Sequence, residues 1–189
     1  VILLMIQIGG LGVVTMAGFL AILSGRKIGL FARNTMQEAL SAHKMGGVVR
    51  LTSFILFSSF SIELLGALFL SPVFIRDFGV TKGLWYSLFH SISAFCNAGF
   101  DLMGIKGEFS SLTSYSSNVT VNLTIVSLIV VGGIGFLTWD DIRTNGIHLR
   151  KYRIQSKIIF LVTFILILFP FLFLYFHEFE SYPFSERVL

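Results

Sequence analysis

Apolar residues in this chain come in long runs, not in the alternating or every-third spacing of half-buried elements. Residues 1–23 are interrupted only by Gln7, Thr15 and several glycines. A second run covers 48–75 with one charge in its body, Glu63, a third covers 119–139, and a fourth covers 158–176 and contains Pro170. A membrane-crossing helix needs about 20 mostly apolar residues, so four spans are expected. Pro170 is expected to kink the last one without ending it, because neighbours re-satisfy the freed carbonyl.

One apolar stretch is too short for that set. Residues 83–100 read GLWYSLFHSISAFCNAGF. The helical part, 84–95, puts Leu84, Leu88, Ser91, Ile92 and Phe95 on one face. It would reach about 18 Å, against a hydrocarbon core of about 30 Å. The length predicts a re-entrant segment, a helix that dips into the membrane and returns as extended chain. Such backbone is tolerated at membrane depth only where protein or water surrounds it.

Composition agrees with the runs. Of 189 residues 54% are hydrophobic and 13% charged, with 21 phenylalanines, and the mean hydropathy is +0.84. Soluble domains carry about 25% charged residues, and disordered chains are poor in aromatics. Both classes are excluded, leaving an integral membrane protein. The single cysteine, Cys96, permits no internal disulfide. A chain that begins inside an apolar run is expected to be a fragment, and no signal peptide is legible in it.

The net charge of +4 is concentrated in two places. Residues 24–50 carry Arg26, Lys27, Arg33, Lys44 and Arg50 against Glu38, and residues 140–157 carry Arg143, Arg150, Lys151, Arg153 and Lys157 against Asp140 and Asp141. In 76–118 the charges balance. The positive-inside rule assigns the first two loops to the cytoplasm and the re-entrant hairpin to the outside. Basic charge so placed reads as topology and lipid contact, and no nucleic-acid partner is expected.

A motif repeats. Gly9-Gly10-Leu11-Gly12-Val13-Val14-Thr15 returns as Gly132-Gly133-Ile134-Gly135-Phe136-Leu137-Thr138, each time before a basic loop and a further apolar helix. Long-period repetition of this kind marks duplicated membrane units. The near-match to G-x-G-x-x-G lacks the βαβ context of a dinucleotide site. Gly9, Gly10, Gly12, Gly132, Gly133 and Gly135 are expected instead at close helix contacts.

The segment Ser93-Ala94-Phe95-Cys96-Asn97-Ala98-Gly99-Phe100-Asp101 offers small side chains and a glycine after a short helix. Rings of backbone carbonyls replace the hydration shell of a cation in selectivity filters, and the carbonyl end of a helix favours positive charge. An ordinary loop after an interfacial helix fits these residues equally well.

Together the hairpin, CNAGF, the GGIGF helix and the following basic loop resemble the Trk/Ktr/HKT superfamily of potassium and sodium transporters. The segments FHSISAFCNAGFDLMG and VVGGIGFLTWDDI are most similar to its bacterial Ktr/Trk membrane subunits. The resemblance implies an all-α integral membrane fold of helix–pore loop–helix repeats around one potassium-channel-like pore. Here it covers about one and a half repeats: 1–23 as the second helix of repeat one, 24–50 as a cytoplasmic loop, and 51–139 as repeat two. Within repeat two it implies helix 51–75, pore helix 84–95, filter 96–100 and helix 119–139. Residues 140–157 would form a second cytoplasmic loop and 158–177 the first helix of repeat three.

By the same resemblance Gly99 is the key filter glycine, and the backbone carbonyls of Cys96, Asn97, Ala98, Gly99 and Phe100 face the ion. Glu63, His90 and Ser93 are expected to support the pore from behind. The implied activity is K⁺ uptake without covalent chemistry, with Na⁺ conduction or Na⁺/K⁺ cotransport as the alternative. No covalently bound cofactor and no metal beyond K⁺ are expected. The implied partners are membrane lipid, a cytoplasmic nucleotide-binding regulatory subunit and a second copy of the full-length protein, in the cell (plasma) membrane. One filter strand is not expected to make a pore by itself.

The rival classes are weaker. An enzyme would need convergent acids or histidines within the spans, where only Glu63 lies. His90 and Cys96 lack further ligands for a metal. Asn118-Val119-Thr120 and Asn122-Leu123-Thr124 fit the glycosylation pattern by chance. A purely structural membrane subunit with no ion path of its own remains as the alternative of another class.

Overall fold

The computed structural model describes residues 1–12, 15–16, 35, 37–38 and 48–178. All regular elements among them are helical. Helix α1 is Ile2–Leu11, α2 is Val48–Phe78, α3 is Val80–Phe95, α4 is Val119–Gly133, α5 is Phe136–Asn145 and α6 is Ile154–Phe173. The expected loop 24–50 lies almost wholly outside the described residues.

Helix α2 runs 31 residues, about 46 Å, and is longer at both ends than expected. Its inner stripe is Ile55, Leu56, Ser59, Glu63, Ala67, Leu70 and Phe74, all buried, while Phe57, Leu64, Leu68 and Phe69 point outward and are exposed. The stripe has the spacing of one helix face. An equally apolar outer face is what a lipid-facing helix requires.

The chain reverses at Gly79, which has φ 79°, and α3 packs back along α2. Lipid tails are as apolar as leucine, so burial alone does not drive helices together in a membrane; close contact and hydrogen bonds do. At Gly83 a Cβ would stand 2.5 Å from the backbone Cα of Ile75, and at Gly66 it would stand 2.5 Å from Ser91 Oγ. These two residues set the approach of α2 and α3. Three small cores surround these two helices. Leu70, Phe74, Met103, Tyr115 and Val121 form one, and Ala94, Phe95, Leu128 and Trp139 a second. In the third, Ile6 of α1 packs against Phe89 and Ile92 of α3.

Four expectations need correction. The predicted span 119–139 is two helices, α4 and α5, bent by 92°. Gly135, at φ 88° and ψ 148°, adopts backbone open essentially to glycine alone. Trp139 folds over the bend and donates Nε1–H to the carbonyl of Val131 at 3.2 Å. Gly12, at φ 83° and ψ 138°, likewise ends α1, so 1–23 is not one uninterrupted helix; most of 13–23 lies outside the described residues. The return from the hairpin is not extended chain but irregular backbone with 3₁₀ turns at Met103–Ile105 and Thr113–Tyr115. The loop 140–157 begins as helix, since α5 continues to Asn145.

Among the described residues α2 and α6 are long and apolar enough to cross a membrane, with the bent α4–α5 pair as a third candidate. Helix α6 starts at Ile154, earlier than expected, because the preceding residues are tied to α5. Asp141 accepts the backbone N–H of Arg153 at 3.0 Å and Ser156 Oγ–H at 2.6 Å, and Arg153 Nη2 pairs with Asp140 at 2.9 Å. Pro170 lies inside α6 and a π turn, Leu174–Glu178, follows it. At the opposite end, Tyr115 donates its hydroxyl to Asp77 at 2.6 Å and Lys106 Nζ reaches the same hydroxyl at 2.9 Å. That hydroxyl, with Asp77 behind it, raises the pKa of the Lys106 ammonium.

Candidate ion-filter site

The backbone after α3 is shaped residue by residue. Helix α3 ends as Cys96 N–H, Asn97 N–H and Ala98 N–H bond back to the carbonyls of Ile92, Ala94 and Ser93 at 2.9, 3.1 and 2.9 Å. Asn97 then takes φ 53° and Gly99 φ 72°, while Ala98 between them does not have a positive φ. The chain therefore changes hand at successive residues. Asparagine is among the few side chains that tolerate the left-handed region. A Cβ built at Gly99 meets no atom within 4 Å, so glycine is required there by backbone conformation and not by crowding.

Two side chains of α3 fix the far end of this segment. Ser93 Oγ donates to the carbonyl of Phe100 at 2.6 Å and accepts the Phe100 N–H at 3.0 Å, closing a loop over residues 93–100. One turn earlier, His90 Nδ1 is 2.7 Å from the carbonyl of Tyr86, and Nε2 accepts the Leu102 N–H at 3.3 Å. The pair of bonds selects the neutral tautomer with its proton on Nδ1. The imidazole is buried and edge-on to Phe74 at 5.3 Å between centroids. A cavity of about 230 Å³ lies beside the segment, lined by His90, Ser93, Asn97, Gly99, Asp101 and Ile129.

Glu63 stands on the other side. It is 2% exposed, and its backbone carbonyl accepts Ser91 Oγ–H at 2.6 Å. Its carboxylate lies 2.9 and 3.0 Å from Gln7 Nε2 of α1 and 3.9 Å from Cys96 Sγ. The expected supporting residues Glu63, His90 and Ser93 thus converge on one loop. The expected filter residues 96–100 are contiguous between their contacts.

The repeated glycines divide into groups. A Cβ at Gly132 would lie 1.9 Å from the carbonyl oxygen of Phe95, and one at Gly10 would lie 2.4 Å from Cys96 Sγ. Both are close contacts. Gly9 has nothing within 4 Å, and Gly133 meets only Asn97 Nδ2 at 3.9 Å, so close packing is not their role among the described residues. Gly12 and Gly135 are needed for their backbone angles. Gln7 and Trp139 carried no role in the sequence reading. A lone amide in an apolar run was the available signal for Gln7, and nothing local marked Trp139 as a brace. Asn118 caps α4 through Val121 N–H at 3.1 Å, and Asn122 Nδ2 donates to the Ser116 carbonyl at 2.6 Å, so both have structural work in the turn.

Among the described residues no group of three or more His, Cys, Asp or Glu side chains that could hold a metal ion is present. The site is a shaped backbone loop held between apolar helices, and it defines an all-helical integral membrane protein. The residues 2–182 match the TrkH family, described as cation transport protein, and the chain belongs to that family. It is 38% identical over 167 residues to the potassium/sodium uptake protein NtpJ of Enterococcus hirae, covering 88% of this chain and 36% of that protein. It is 42% identical over 158 residues to the Ktr system potassium uptake protein B of Bacillus subtilis, covering 84% and 34%. The corresponding protein B of Vibrio alginolyticus is 33% identical over 167 residues, covering 87% and 35%. The chain spans about a third of the length of these curated relatives.

Proposed function

We propose that this chain supplies one filter strand of a cation pore and that the full-length protein takes up K⁺ across the bacterial plasma membrane. The observation that carries the reading is the change of backbone hand at Asn97 and Gly99, clamped at Phe100 by Ser93. Alternation of this kind turns neighbouring carbonyls toward a common side, which is how a filter replaces a cation's hydration shell. The names of the relatives, potassium uptake and potassium/sodium uptake, support the ion. On this reading the carbonyls of Cys96, Asn97, Ala98, Gly99 and Phe100 line the path, and Glu63, His90 and Ser93 support it. Helix α1 closes the first helix–loop–helix repeat, α2 to α5 form the second, and α6 opens the third. The protein is a transporter and not an enzyme. Its partners are a second copy of itself and a cytoplasmic nucleotide-binding subunit, as the resemblance implies.

Sodium conduction is the second reading, favoured by the name of the Enterococcus relative. Flux of K⁺ and Na⁺ into liposomes holding the full-length protein tests both, wild type beside Gly99→Asp. K⁺ flux that the substitution abolishes or reselects, in folded protein, supports the filter. Unchanged flux in Gly99→Asp removes Gly99 from the ion path. Wild-type flux of Na⁺ alone replaces the first reading by the second, and a structural subunit would show neither ion moving.

A further inference from the structure

Helix α1 carries, one turn apart, a polar contact to Glu63 of α2 and a close approach to Cys96 at the start of the loop. Gln7 is 6% exposed and points its Nε2 at both carboxylate oxygens of Glu63, at 2.9 and 3.0 Å. Its Oε1 has no partner among the described residues, so Glu63 alone sets the orientation of the amide. Three residues on, Gly10 lets Cys96 Sγ come within 2.4 Å of where a Cβ would be. Glu63 in turn lies 3.9 Å from Cys96 Sγ and holds Ser91 through its backbone carbonyl. Gln7, Glu63 and Cys96 therefore form a polar chain that starts on α1 and ends on the first filter residue.

We infer that Gln7 is a positioning residue for ion selectivity: it fixes Glu63, and through Glu63 the side chain of Cys96 at the start of the filter, from a helix outside the hairpin that carries the filter. The inference rests on the reading of 96–100 as a filter. A carboxylate buried in an apolar bundle needs a donor, since an unmet charge there is costly. Gln7 provides the only side-chain nitrogen donor bonded to Glu63 among the described residues. Ser93 fixes the other end of the filter, at Phe100, so the segment is held at both ends by different helices. The second copy of the glycine motif has Val130 at the position of Gln7. A valine offers no donor, so the amide brace belongs to this junction and makes its filter strand unlike one backed by the second copy. Carbonyl cages discriminate between ions by their geometry and field, and a strand held differently from its neighbours is placed to tune that discrimination.

The test compares the K⁺/Na⁺ permeability ratio of the full-length protein in liposomes for wild type, Gln7→Leu, the exchange pair Gln7→Glu/Glu63→Gln, and Gly99→Asp. Gln7→Leu is expected to lower the ratio about tenfold, the size set by one hydrogen bond to a charged group. The exchange pair rebuilds an amide–carboxylate contact across the same gap and is expected to keep the ratio within about twofold of wild type. A structural role alone would change protein yield or melting temperature and leave the ratio unmoved. A folded Gln7→Leu protein with the wild-type ratio overturns the inference. So does an exchange pair whose ratio has shifted as far as that of the single variant. If Gln7→Leu fails to fold, the exchange pair decides by itself: a kept ratio supports the brace and a shifted one overturns it. If Gly99→Asp leaves flux untouched, the filter reading falls and the inference falls with it; if Gly99→Asp acts and the Gln7 variants do not, only the inference falls.

Discussion

The two copies of the glycine motif turn through the same glycine, Gly12 in one and Gly135 in the other, and differ in what surrounds it. Gly12 and Gly135 have nearly the same angles, φ 83° and ψ 138° against φ 88° and ψ 148°, and each ends a helix at the same point of the repeat. The contacts above that break are not equivalent. In the second copy the first glycine, Gly132, takes the carbonyl of Phe95, the last residue of the preceding short helix. In the first copy it is the second glycine, Gly10, that is filled, by Cys96 of the hairpin that follows it. One motif thus has two faces, one for the hairpin before it and one for the hairpin after. The break is a property of the local sequence, while the packing depends on which hairpin lies alongside.

That contrast orders the effects of substitution. Gly132→Ala should be the most damaging, because its Cβ would sit 1.9 Å from a backbone oxygen that cannot move without unwinding the end of α3. Overpacking of this kind costs about 3 kcal/mol, read as a lowered melting temperature of the full-length protein together with lost flux. Gly135→Ala and Gly12→Ala should come next and should match each other, at about 2 kcal/mol each, since both force alanine into backbone that glycine alone adopts readily. Unequal losses at these two positions would show that the shared angles are not a shared device. Gly10→Ala should cost least, about 1 kcal/mol, because its nearest neighbour is a side chain, Cys96 Sγ. Adding Cys96→Gly should recover part of that loss. Full additivity of the two changes would mean that the residues do not couple.

The same contrast explains what was legible in the sequence. Apolar runs gave the long helix α2 and the start of the hairpin, because length and composition decide whether a segment crosses lipid. The short run 84–95 was readable as a helix from its apolar residues, and in the structure it begins a turn earlier, at Val80. The bend at Gly135 was not legible. Apolar residues continue through Phe136, Leu137 and Trp139, and only the backbone angles and the bond from Trp139 to Val131 turn them aside. Leu84, expected on one face with Ile92 and Phe95, is 49% exposed where those two are buried. At the site, Ser93, His90 and Glu63 stood out as polar residues among apolar ones. Their partners did not, because Phe100, Leu102 and Gln7 are brought to them by turns and by a distant helix.

The most direct measurement is the position of the ion. Crystals of the full-length protein soaked in Rb⁺, with anomalous difference density, locate it without any substitution. The filter reading predicts density on the pore axis in direct contact with backbone carbonyls from residues 96–100, Gly99 among them. Density elsewhere in the membrane, with the Gly99 carbonyl turned into the protein, would contradict it.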